Sequence, residues 1–181
     1  MQYTADQIEK VVAEVVASLS QNGASSGDPG RVRKGGKPYS ELKNMNLALA
    51  KELIAGVEKK AGEIGVNAVI AVSDRGANPV AVHCMDNSYI ASYDIAFQKA
   101  FTVAALKMST SELKKLAQPG QPLYGIQFTN NSRIVIFGGG EPLSIDGTVI
   151  GGIGVSGGSE EQDTFLAEYG LKLFKEAIAK K

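Results

Sequence analysis

Two hydrophobic periods alternate along the chain, and the first is helical. Ile8, Val11, Val12, Val15, Val16 and Leu19 fall at i, i+3, i+4, i+7, i+8 and i+11, opposed by Glu9, Lys10, Ala13, Glu14 and Ser18. Thr4 and Gln7 have capping-box spacing at its start. The periodicity then stops. Residues 20–38, SQNGASSGDPGRVRKGGKP, hold five glycines, two prolines and one apolar aliphatic residue, Val32. Such a segment buries too little surface to fold and is expected to be a flexible linker. A helix as short as 1–19 is marginal alone in water, so its stripe needs cover from the parent domain, another copy or a different protein.

From Ser40, a candidate cap, the apolar positions Leu42, Met45, Leu49, Leu53, Val57 and Ile64 predict a long helix ending near Gly62 and Gly65. Val66–Ser73 and Pro79–Met85 then read as strands joined by the turn residues Asp74 to Asn78. Ala91–Met108 is too long and too Ala-rich for a strand and is expected to be a central helix. Ser109 with Glu112 caps a short helix to Ala117, before the break Gln118-Pro119-Gly120-Gln121-Pro122. Arg133–Phe137, Pro142–Ile145 and Thr148–Val155 supply three more strands. Ser159 with Gln162 caps a last helix whose Phe165, Leu166, Tyr169, Leu173, Phe174 and Ala177 face inward. This order predicts an α+β domain over 39–181, with a mostly antiparallel five-stranded sheet flanked by helices.

Within that pattern Gly152, Gly154 and Gly157 spell G-x-G-x-x-G before a helix. A dinucleotide fingerprint needs a second parallel strand with an acidic residue about 20 positions on. Only 24 residues follow Gly157, and they read as one helix. Upstream, Ser144-Ile145-Asp146-Gly147-Thr148-Val149 is a type I′ hairpin signal. The glycines therefore read as a structural loop, or a subunit contact, that permits close packing of backbone.

Composition narrows the partners. Lys plus Arg and Asp plus Glu each total 19, which leaves no basic field for nucleic acid or anionic lipid. One cysteine, Cys84, excludes an internal disulfide framework, and no window is apolar enough to span a membrane. Met1–Asp6 carries no early basic residue, so a cytoplasmic protein without a signal peptide is expected. No HExxH, CxxC, Walker lysine, Ser-His-Asp or paired-carboxylate constellation stands out. Glu160, Glu161 and Asp163 are read as first-turn carboxylates complementing a helix dipole. Cys84 is read as an inert buried thiol.

The stretches AVSDRGANPVAVHCMDNS, SYDIAFQKAFTVAALKMST, LAQPGQPLYGI, IVIFGGGEPL and GTVIGGIGVSGGSEEQD, in that order, resemble the GlcG/HbpS-like haem-binding family, which includes the C-terminal domain of PduO-type adenosyltransferases. The resemblance covers about residues 41 to 175. It implies a profilin-like sheet, a homo-oligomer, and haem or a related tetrapyrrole as ligand, with no single agreed reaction. Strand alternation puts His83 on one face with Ala81 and Met85, so an imidazole and a thioether, both iron ligands in haem proteins, lie together. The bland reading of His83 is a partly buried histidine hydrogen-bonded in the core or at an interface. Thr102 shares a polar stripe with Asp94 and Gln98; it is a second candidate, and a structural hydrogen bond is its ordinary role. Arg75, Lys99 and Lys107 are candidates to pair with propionates, against the ordinary reading of solvated surface charge.

Residues 1–19 on their tether resemble the encapsulation peptides of bacterial microcompartment cargo, set against docking onto the chain's own core or oligomerisation. Two function classes follow. One is a non-catalytic tetrapyrrole-binding accessory protein, recruited through 1–19 to a shell protein in a microcompartment lumen. The other is an enzyme with a pocket near Asp74–Asn78 and the glycine loop. A ligand-free assembly protein is the third, blandest expectation.

Overall fold

A computed structural model describes residues 38–179. The helix expected at 1–19 and the tether at 20–38, apart from Pro38, lie outside the described residues. After a 3-10 turn at Tyr39–Glu41, helix α1 spans Leu47–Glu63. Strands β1 (Val69–Asp74) and β2 (Pro79–Cys84) follow, then helices α2 (Ser92–Leu106) and α3 (Thr110–Leu116). Strands β3 (Gly140–Ile145) and β4 (Thr148–Ser156) and helix α4 (Glu160–Ala179) complete the chain.

The sheet is antiparallel throughout, in the order β2-β1-β4-β3. The α+β expectation holds; the sheet has four strands where five were expected. Arg133–Phe137 does not join it. Its five residues are apolar enough to read as a strand, but side chains claim the backbone here: Val135 N–H donates to Thr102 Oγ1 at 3.0 Å and, just past the segment, Gly138 N–H to Glu160 Oε1 at 2.9 Å. Ladder bonding to β4 starts only where Val155 N–H meets Gly139 O, at 2.8 Å.

The long helix also starts later than Ser40. Asn46 is the cap, its Oδ1 accepting from Leu49 N–H at 2.8 Å, while Met45 N–H is tied to Ile150 O at 2.8 Å and so cannot be helical. Local codes elsewhere match. Asp146 (φ 49°) and Gly147 (φ 74°) make the left-handed pair of the β3–β4 turn, with Ile145 opposite Thr148. Ser109 caps α3, and Ser159 and Gln162 bond reciprocally at the start of α4.

Alternation along β4 separates two cores. Ile153 and Val155 join Ile70 and Val72 in the main core beneath α1 and α4, with Leu49, Leu53, Val57, Leu166 and Phe174. The opposite face is built small: Gly152 and Gly154 of β4 and Ala71 of β1 lie under Ala96 and Ala100 of α2. A Cβ at Gly154 would stand 2.2 Å from Ala96 O, and one at Gly152 would stand 2.7 Å from Ala100 O. The G-x-G spacing thus lets α2 lie almost on the sheet backbone, as the structural reading of the glycines expects. In α4, Leu166 and Phe174 are buried as expected, but Phe165 is turned outward and 46% exposed.

Candidate functional site

Strand β2 is a sheet edge, and at its end His83 is backed by α1. His83 Nδ1 lies 2.8 Å from Glu58 Oε1, with the two side chains 41% and 31% exposed. The strand's alternation and the helical position of Glu58 bring these groups together across 25 residues of sequence. A carboxylate on Nδ1 favours the tautomer with hydrogen there and leaves the lone pair on Nε2, the arrangement that prepares an imidazole to bind a metal. Met85, two residues on, packs partly buried against the main core. Both donors are thus partly exposed. The expected sharing of a face by Ala81, His83 and Met85 is what the structure has.

The other candidates lie elsewhere. Thr102 is buried, its hydroxyl donating to Gln98 O at 2.7 Å and accepting from Val135 N–H, so it pins the 133–135 segment to α2. Gln98 continues that work by accepting from Arg133 Nε at 3.1 Å, and the Arg133 guanidinium sits 3.7 Å over the Phe101 ring. Arg75 is exposed at the β1–β2 turn, five positions past Ile70, the partner of His83, or about 16 Å along a strand. Lys107, the left-handed cap of α2, is exposed. Cys84 is exposed rather than buried, because an edge strand is covered less than a central one.

Lys99 corrects the surface-charge reading most sharply. Its side chain is wholly buried, Nζ donating to Val155 O at 2.7 Å and Asp163 Oδ2 at 2.9 Å, 4.8 Å from the Phe137 ring centroid. Burial lowers its pKa from the ordinary lysine value, and Asp163 opposes that shift. Asp163 is more than a first-turn carboxylate: Oδ1 also accepts from Gly158 N–H at 3.0 Å, so it ties α2 and the loop after β4 to α4.

Beside this ion pair a cleft of about 290 Å³ opens between the starts of α2 and α4. Tyr89, Ala91, Ile95 and Phe137 form apolar walls, while Ser92, Ser156, Gly157 and Asp163 line its polar end. Ser156 pairs with Val69 and Asp74 with Gly151, so the cleft and the turn Asp74–Asn78 stand at opposite ends of the sheet. This cleft therefore does not join that turn to the glycine loop. Sequence reasoning missed the cleft because three separate segments build it; the run of small residues in Ser156-Gly157-Gly158 was its only local sign.

Comparison with known proteins gives a consistent picture. A 15.0 kDa protein of Citrobacter freundii from the dhaT-dhaS intergenic region is 46% identical over 136 residues, 75% of this chain and 96% of that one. The corrinoid adenosyltransferase PduO of Citrobacter freundii is 37% identical over 117 residues, 65% of this chain but only 35% of that protein. The crystal structure of a PduOC:heme complex matches with a TM-score of 0.69 at 32% identity, covering 71% of this chain and 94% of that one. The model of the family described as haem degrading protein HbpS-like matches residues 45–172, and to that HbpS-like family this chain belongs.

Proposed function

We propose that this protein is a non-catalytic accessory protein that binds haem or a related tetrapyrrole, and that residues 1–19 recruit it to a bacterial microcompartment through a shell protein. The observation that carries the haem reading is the Glu58–His83 pair: a carboxylate fixes Nδ1, and Nε2 is left on a partly exposed sheet edge. The family's description and the haem complex of a relative at 32% identity support the same ligand. Haem would supply an iron that accepts an axial donor. In this reading His83 provides that donor, Glu58 orients it, and Met85 adds apolar surface nearby. Thr102 and Lys99 act on haem only indirectly, through the packing of α2, and Arg75 meets no haem held at His83 in the same copy.

Recruitment rests on the 1–19 stripe with its cap and tether, and on the likeness to PduO. Among the described residues no helix is long and apolar enough to cross a membrane. Self-association completes the proposal, since the stripe and the open edge strands both offer surface to a second copy.

Haemin titration tests the ligand. A saturable Soret shift at stoichiometric haemin, weakened in His83→Ala and to a smaller degree in Glu58→Gln, is expected; no shift, or one untouched by both changes, overturns the assignment. For recruitment, residues 1–38 fused to a fluorescent protein should enter compartments, and Val12→Glu with Val16→Glu should leave it diffuse. Loss of core folding on removing 1–38 would instead make the helix part of the domain. A 19.0 kDa monomer by light scattering would rule out self-association.

A further inference from the structure

We infer that the cleft between the starts of α2 and α4 is a second binding site, distinct from the His83 edge, that takes a small uncharged molecule carrying a hydroxyl or carbonyl oxygen on an apolar body. Ser92 and Ser156 both line the cleft and are only 3% and 5% exposed. Their oxygens stand 3.1 Å apart, bonded to each other. Two hydroxyls share that one bond, so one O–H of the pair remains to be given to an acceptor. A buried donor left without a partner is costly, and a ligand oxygen in the cleft removes that cost.

Charge at the site decides which oxygen. Two carboxylates reach it, and each is already matched. Asp163 is held by Lys99 and by Gly158 N–H, and Glu160 accepts from Lys114 Nζ at 2.7 and 2.9 Å and from Gly138 N–H. Neither leaves net charge to recruit an ion, and burying an unmatched ionic group beside them is unfavourable. Tyr89, Ile95 and Phe137 are the surfaces against which a hydrocarbon body would lie. At about 290 Å³ the cleft is at the small end of ligand pockets, the size for a metabolite of a few carbons rather than a tetrapyrrole.

The site is on the α2 face, whereas the His83 imidazole is on the α1 face, so the two readings fail independently. Three rings of one shape serve as probes on the full chain, followed by backbone amide NMR: cyclohexanol, cyclohexylamine and cyclohexanecarboxylate. Cyclohexanol should shift Ser92, Ser156, Gly157 and Gly158 saturably. The two charged rings should bind about tenfold more weakly or worse. Ser92→Ala with Ser156→Ala removes both hydroxyls and should weaken cyclohexanol about three- to tenfold, whereas Ser156→Ala alone leaves the Ser92 O–H to give. Ala91→Trp, at an exposed position on the rim, should block it while leaving the haemin response intact. Equal binding of all three rings, shifts away from these residues, or a double variant that is folded and binds as well as the parent overturns the assignment. Should the double variant unfold, Ala91→Trp alone decides: cyclohexanol binding that survives it sinks the proposal.

Discussion

Lys99 Nζ and Asp163 Oδ2 meet at 2.9 Å with side chains 0% and 5% exposed, and the pair joins residues 64 positions apart in the chain. A buried ion pair returns little net stability, because desolvation of both groups consumes most of the attraction, yet halving it strands a charge. Lys99→Met is expected to cost about 3–5 kcal/mol in urea unfolding, and Lys99→Met with Asp163→Leu to cost clearly less. A double variant as unstable as the single one would show that the carboxylate stranded at Asp163 is not what makes the single change costly.

Gly154→Ala should destabilise by about 1–3 kcal/mol or more, because the new methyl meets backbone atoms, Ala96 O and Ala100 N, that cannot rotate away. Gly62→Ala is the control. It lies inside α1 with open space around its Cβ position and should be neutral or stabilise by up to about 1 kcal/mol. Equal thermal midpoints for the two would remove the close-packing account of the glycines.

Glu141 gives the domain a pH dependence. Burial pushes its carboxyl up to about 7, with Glu168 adding to the rise. Below pH about 4.5 the group is protonated whether the chain is folded or not, and it contributes nothing. As pH rises from there to about 7 the unfolded chain loses the proton while the folded one keeps it, so stability falls and stays lower above. Screening of this partly exposed side chain limits the loss to about 1–2 kcal/mol. Glu141→Gln should raise the melting temperature at pH 8 more than at pH 5; the same gain at both would clear Glu141 of the effect.

Thr102→Val separates scaffold from ligand roles. It leaves Val135 N–H without its acceptor and should cost about 1–3 kcal/mol, with haemin binding unchanged. Unaltered stability with a lost Soret shift would place the hydroxyl at the iron instead.

What was legible in the sequence was mostly what is decided locally. Asp146-Gly147 names its own turn, Ser109 and Ser159 name their caps, and the alternation of glycine with Ile153 and Val155 announces a strand with one bare face. Misreadings arose where a distant partner decided the outcome. Arg133–Phe137 has the composition of a strand, but Thr102, 33 residues earlier, takes the amide that a ladder would need. Ser40 looks like a cap until the Ile150 carbonyl takes the Met45 amide that a helix from Ser40 would need. Lys99 reads as a surface charge because nothing near it reveals Asp163, although its setting between Ala96 and Ala100 marks a helix face too small-featured for solvent. Glu58 escaped notice for the same reason, its value lying in a histidine on another element.

The bare face of β4 also gives α2 the behaviour of a lever. Gly152 and Gly154 act as its fulcrum under Ala96 and Ala100, while Ser92, one turn before Ala96, is the tip that meets Ser156. A single methyl added at the fulcrum would lift the tip and part the two hydroxyls, without touching anything the cleft holds. Variants at Gly152 or Gly154 that stay folded should therefore mimic site mutations in every binding assay, and only their amide spectra, disturbed first along α2, would reveal the remote origin.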